Sequence, residues 1–116
     1  MQIEVDKLNA DQTKMCLIGE MTIFHINDIK ESLVKQFNEA NELLIDLSGV
    51  SEIDTAGLQV LILFKNEASK KKKKLVLAEH SQPVVDLLEI SHLNQFFGDP
   101  VLLLSAQTAE KSEKKL

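Results

Sequence analysis

The sequence predicts a single α/β domain built on a mixed sheet, and three observations carry that expectation. Two short runs of strand character, Gln2 to Leu8 and Met15 to Ile18, flank the turn-forming Asn9-Ala10-Asp11-Gln12 and read as a hairpin. The apolar runs Leu43 to Leu47 and Leu75 to Ala78 bracket a long apolar helical stretch, a βαβ unit whose crossover is right-handed. Finally, 116 residues with 44% hydrophobic content are enough for one domain to bury its own core.

In the first strand Ile3 and Val5, with Leu8, share one side, which leaves the other side wet. Met15-Cys16-Leu17-Ile18 is compact and apolar and stops at Gly19, and Cys16 reads there as core packing. Glu20-Met21-Thr22 leads into an amphipathic helix in which Ile26, Ile29, Leu33, Val34 and Phe37 recur at helical spacing, ending near Ala40. Asn27 is a candidate cap, and Lys30, Glu31, Lys35 and Glu39 form the wet face, with Glu31 and Lys35 at a supporting spacing. Because aromatic side chains are mostly internal, Phe24 is placed under this helix.

The run Leu43, Leu44, Ile45 and Leu47, closed by Ser48-Gly49, suits a strand covered on both faces. After a short exposed connection a second helix opens at Asp54-Thr55-Ala56-Gly57. From Leu58 to Phe64 only Gln59 is clearly polar, which puts this helix deep in the domain. Asp54 is positioned as its cap: a carboxylate there accepts from the free N–H of Ala56 or Gly57 and favours the positive end of the helix dipole. Thr55 then projects its hydroxyl at the helix mouth.

Lys70 to Lys74, five consecutive lysines, end that helix. Cations complement a helix C-terminus, and no arginine or aromatic accompanies them, so they read as a solvated end and not as a nucleic-acid or lipid site. Ser81 caps a short helix through Ile90 with Pro83 in its first turn. His92 to Phe97 is an irregular return, Gly98-Asp99-Pro100 a turn, and Val101 to Leu104 a last strand or extended edge segment. The domain is thus expected over 1–104, with 105–116 a charged tail that is a frayed helix or disordered.

Composition narrows the function classes. Net charge is −5, every basic residue except the histidines is lysine, and arginine, tyrosine and tryptophan are absent. Duplex readers use arginine forks and single-strand binders use aromatic platforms, so no nucleic-acid partner is expected, while a mildly acidic surface suits a protein partner. His25, His80 and His92 lie too far from one another and from Cys16 to form a local ligand pair, and no metal site or cofactor is expected. No nucleophile elbow or phosphate loop is present, so the chain is not read as an enzyme. Asp46 and Asp54 could be paired carboxylates, but they read as a strand-end residue and a cap. No apolar run approaches the roughly 18 residues of a membrane span and the N-terminus lacks a signal peptide, which predicts a cytoplasmic protein with no membrane insertion.

The run Ile45-Asp46-Leu47, then Ile53-Asp54-Thr55-Ala56-Gly57-Leu58 and a buried helix, resembles the signature of STAS domains (sulphate transporter and anti-sigma factor antagonist). The likeness extends roughly from Val5 to Leu104. It implies a STAS-like mixed sheet of four to five strands with helices packed mainly against one face. Length favours the free-standing bacterial anti-sigma factor antagonists over a domain fused to a transporter. The function so implied is partner switching in transcription regulation. The partner would be an anti-sigma factor or serine/threonine kinase of the histidine-kinase-like ATPase type, met through Phe24, Asp54, Thr55, Ala56, Gly57 and Leu58.

In that family the phosphoacceptor is usually a serine immediately before the glycine, a place held here by Ala56. The nearest hydroxyl is Thr55, which the resemblance makes the candidate phosphorylation site, and Phe24, near the phosphorylation loop in the family, becomes a contact residue. The Asp-Thr-Ala-Gly form also resembles the STAS subunit of a lipid-transport ABC complex, in which the threonine would contact an ABC transporter ATPase. A third alternative, a small phosphoryl-transfer or nucleotide-hydrolysing enzyme using the helix N-terminus as an anion site, lacks a basic clamp and metal ligands near Asp54.

Overall fold

Alternation along the chain decides which face of each strand is buried. In a computed structural model that describes residues 1–92, β1 (Gln2–Lys7) and β2 (Gln12–Met21) form the expected hairpin, joined by a turn in which the Asn9 side chain accepts from the N–H groups of Asp11 and Gln12. Then follow α1 (Ile26–Glu39), β3 (Glu42–Ile53), α2 (Thr55–Lys71), β4 (Lys74–Ala78) and α3 (Gln82–Ser91). The four strands lie in the order β1-β2-β3-β4, with β1 antiparallel to β2 and the remaining pairs parallel, so the sheet is mixed. The expected return after His92, the Gly98-Asp99-Pro100 turn, the strand Val101 to Leu104 and the tail 105–116 lie outside the described residues.

Met15 and Leu17 of β2, Leu43, Ile45 and Leu47 of β3, and Leu75 and Leu77 of β4 face one core. Onto it α1 brings Ile29, Leu33 and Phe37, α2 brings Leu58, Leu61 and Phe64, and α3 adds Val84 and Leu88. Phe37 and Phe64 meet edge-on with ring centroids 5.6 Å apart, joining the two long helices.

The other side of the sheet carries Lys14, Cys16, Leu44 and Val76, all half-buried. Cys16 therefore does not pack in the core, and β3 is not covered on both faces as its apolar run suggests. The alternation that turns Met15 and Leu17 inward turns the thiol outward. Desolvation first, and the Asp46 carboxylate second, push that thiol's pKa up. Asp46 is buried on this face, 3.7 Å from Lys14, and accepts from the N–H and hydroxyl of Ser48 at 2.9 and 2.7 Å. Its role is structural, in line with the reading that keeps it apart from Asp54.

Several boundaries differ from expectation. Ser48-Gly49 does not end β3. The strand passes through register shifts and stays paired with β2 as far as Ile53 opposite Met21, so the expected exposed connection is strand. Gly49 is needed there because a Cβ would come within 2.9 Å of Ile18 Cγ1. The N-cap of α1 is His25 and not Asn27, since a turn with His25 N–H donating to the Thr22 carbonyl at 2.9 Å starts the helix earlier. Val34 lies outside the stripe Ile29, Leu33 and Phe37 and is 45% exposed, as is Leu63 on α2, so α2 also keeps one wet side. Ser81 holds the N-cap position of α3 but makes no side-chain cap bond.

The lysine run is not uniformly solvated. α2 ends at Lys71, and Lys72 is its left-handed C-cap. Lys73 turns inward: its ammonium donates to the carbonyls of Phe37 at 2.5 Å and Ala40 at 3.1 Å and lies 5.0 Å from the centre of the Phe37 ring. It fastens the last turn of α1, whose carbonyls have no partner within their own helix.

Candidate functional site: the mouth of α2

Asp54 is extended, with φ −117° and ψ −174°, and is the N-cap of α2. One carboxylate oxygen accepts from the Gly57 N–H at 3.1 Å, the cap the sequence predicts. The other accepts from the Ile23 N–H at 3.0 Å, and the Asp54 N–H itself donates to the Met21 carbonyl at 3.4 Å. A single residue thus ties together the end of β2, the turn entering α1 and the mouth of α2. The Ile23 amide is the main cause that holds the Asp54 carboxyl below the usual carboxylate range, helped by the Gly57 and Ala56 amides and opposed by desolvation.

Gly57 packs against the end of β2. A Cβ there would collide with the Met21 carbonyl and come within 3.0 Å of Ile53 Cγ1 and of Met21 Cγ, so only glycine fits.

The proposed contact residues divide into two groups. Thr55 and Phe24 are exposed, Phe24 by 86%, and Asp54 and Ala56 are half-buried. Phe24 is not packed under α1. The tight Thr22–His25 turn holds it at the apex, and Ile26 and Ile29 take the places beneath the helix. Gly57 and Leu58 are buried, Leu58 with 5% exposure in the core, so neither offers a contact face. They support the mouth from within.

Sequence reasoning did not single out Ile23. Its N–H supplies the second clasp on Asp54 and its side chain is 60% exposed. The signal was available, since Ile23-Phe24 are adjacent apolar residues that do not both fit the helical stripe beginning at Ile26. His25 flanks the turn, with Nε2 3.8 Å from a Glu20 carboxylate oxygen.

The mouth therefore presents one hydroxyl and two apolar side chains on a backbone fixed by a carboxylate whose oxygens are both engaged. Among the described residues, no group of three or more His, Cys, Asp or Glu could hold a metal ion, and no helix is long and apolar enough to cross a membrane. Thr55, Ile23 and Phe24 are reachable from outside the domain at the mouth of α2.

The chain belongs to the STAS domain family, whose model matches residues 4–111. It is 30% identical over 95 residues to the anti-sigma-B factor antagonist of Listeria monocytogenes, covering 81% of this chain and 83% of the antagonist. It is 33% identical over 75 residues to sulfate transporter 1.3 of Arabidopsis thaliana, covering 64% of this chain but only 11% of the transporter. Its fold is shared with the anti-sigma factor antagonist SpoIIAA in its unphosphorylated form, with a TM-score of 0.70 at 13% identity over 99% of both chains.

Proposed function

We propose that the chain is an anti-sigma factor antagonist that acts by partner switching through the mouth of α2, with Thr55 as the residue that throws the switch. The observation that carries this reading is the exposed Thr55 hydroxyl beside the exposed Ile23-Phe24 turn, both held in place by Asp54. The likeness to the Listeria antagonist over most of both lengths supports the class of partner. That partner is an anti-sigma factor of the histidine-kinase-like ATPase type, and docking of the tip onto it releases the sigma factor in the cytoplasm.

In the reverse step the kinase transfers a phosphoryl group from ATP to Thr55 Oγ1. The new O–P bond forms as the bond to ADP breaks, and the hydroxyl proton goes to a base on the kinase. This chain is the acceptor in that reaction and not its catalyst. The phosphate adds about −1.5 to −2 charge beside a carboxylate that is already ionised, next to two exposed apolar side chains and close to the exposed Glu20 carboxylate. Docking then costs both repulsion and desolvation, and it is lost.

Intact-mass analysis after incubation with the cognate kinase and ATP tests the switch. One added phosphate, absent from Thr55→Ala, supports it; no mass shift, or the same shift in the variant, removes Thr55 as acceptor. Affinity purification of the tagged chain tests the partner. Recovery of an anti-sigma factor supports the reading, and recovery of an ABC transporter ATPase in its place overturns it.

A further inference from the structure

The lysine run at the far end of α2 reads from the sequence as a solvated end and not a lipid site, but in the fold it holds more charge than the structure uses, which reverses that reading. Lys70 and Lys71 occupy the last turn of α2 and complement its dipole, and Lys73 is engaged with the carbonyls of α1. Lys72 and Lys74 serve neither purpose, and both are exposed. Lys72 adopts φ 58°, a conformation in which glycine is the least strained residue, yet the position carries a cation. Counter-charges at this end include Glu67, 3.8 Å from Lys70, Glu42, 3.8 Å from Lys74, Asp11, which accepts from Asn41 beside Lys74, and Glu39, which is paired with Lys7. Six of the thirteen lysines fall between Lys65 and Lys74, so a chain of net charge −5 has a cationic pole.

We propose that this pole docks the domain on a phospholipid surface rich in anionic headgroups. Lysine ammonium groups on flexible stems suit a diffuse array of phosphates, whereas specific carboxylate or nucleic-acid recognition draws on arginine forks and aromatic platforms. The chain has no arginine, and the aromatic ring at the pole, Phe37, is buried beneath Lys73. None of the exposed large apolar residues among those described falls between Lys65 and Glu79, so the pole lacks the apolar anchors that an acidic peptide groove would add. Attraction is therefore electrostatic, at the surface and without insertion. The 17 residues of α2 separate the pole from Thr55, a distance of about 25 Å at about 1.5 Å per residue. A domain seated on its lysines turns its tip away from the membrane and leaves it free for a protein partner.

Co-sedimentation of the full chain with vesicles tests this without any anti-sigma factor, so its outcome is separate from that of the partner-switching reading. The chain binds phosphatidylglycerol vesicles and not pure phosphatidylcholine vesicles, and rising salt releases it. Each exposed lysine contributes about fivefold to binding, so replacing Lys70, Lys71, Lys72 and Lys74 together by Gln weakens it by at least about tenfold, after allowance for these counter-charges. The variant loses the cations that complement the end of α2 and unfolds slightly earlier than wild type, but it remains fully folded under the binding conditions, which a thermal unfolding curve checks. The lysines within 111–115 remain in both proteins, so the difference reports on the pole alone. Equal binding to both kinds of vesicle, or unchanged binding by the variant, overturns the proposal. Tighter, lysine-dependent binding to duplex DNA than to phosphatidylglycerol also overturns it, in favour of a nucleic-acid surface.

Discussion

The backbone N–H of Ile23 donates to the Asp54 carboxylate at 3.0 Å, linking residues 31 positions apart. The other oxygen of the same carboxylate caps α2 through Gly57, so the order of the exposed turn and the start of the helix depend on one side chain. Asp54→Ala removes both bonds and is expected to cost about 1–2 kcal/mol. Denaturant unfolding measures the loss, and hydrogen exchange at the Ile23 and Gly57 amides shows where it falls. An unchanged Ile23 amide would mean that the clasp does not hold the turn.

The same carboxylate sets a pH dependence. Its folded pKa lies below the ordinary value of 3.8, so its stabilisation is complete above that value and disappears as pH falls through the lower folded one. Asp54→Asn keeps one acceptor oxygen and can serve only one of the two amides. The stability gap between wild type and Asp54→Asn is therefore widest near neutrality and narrows in acid. Unfolding curves at neutral and acid pH check the sign.

Phe24 is 86% exposed and supports nothing beneath it. Phe24→Ala leaves stability within about 0.5 kcal/mol, while affinity for the anti-sigma factor falls at least about tenfold, the effect of losing an aromatic anchor at an interface. Calorimetric titration against the partner, alongside thermal unfolding, separates the two effects.

Gly57→Ala has the opposite signature. The added methyl meets the Met21 carbonyl, a backbone atom that cannot rotate aside, and the expected cost is about 1–3 kcal/mol. Because the strain lies at the mouth of α2, binding weakens as well. A melting temperature equal to wild type would show that the end of β2 gives way more easily than its pairing implies.

Lys73 and Lys71 are two positions apart and differ in role. Lys73→Ala strips the Phe37 and Ala40 carbonyls of an ammonium donor, an expected loss of about 1.5–3 kcal/mol for hydrogen bonds to a charged group. Lys71→Ala, at an exposed site, stays within about 0.5 kcal/mol. Parallel denaturation of the two variants decides whether the distinction holds.

What could be read beforehand follows from range. The Asp54 cap and the mixed sheet rest on short spacings and local periodicity, which sequence displays directly. The bond from Ile23 to Asp54 and the inward turn of Lys73 depend on how distant elements meet, and no local pattern records that. The sequence ends β3 at Ser48-Gly49 because the apolar run stops there, although the backbone remains paired with β2 through the exposed Ser51 and Glu52 as far as Ile53. Phe24 is divided between two expectations: its residue type favours the interior, the family resemblance an exposed contact, and the tight turn at the start of α1 leaves it outside. Leu58 followed the motif faithfully, yet helical geometry turns it into the core.

The fit of Gly57 against the Met21 carbonyl also has a bearing on Thr55. A side chain of any size at position 57 would push the mouth of α2 off the end of β2. The exposed Thr55 two residues earlier therefore owes its placement to a neighbour that has no side chain at all.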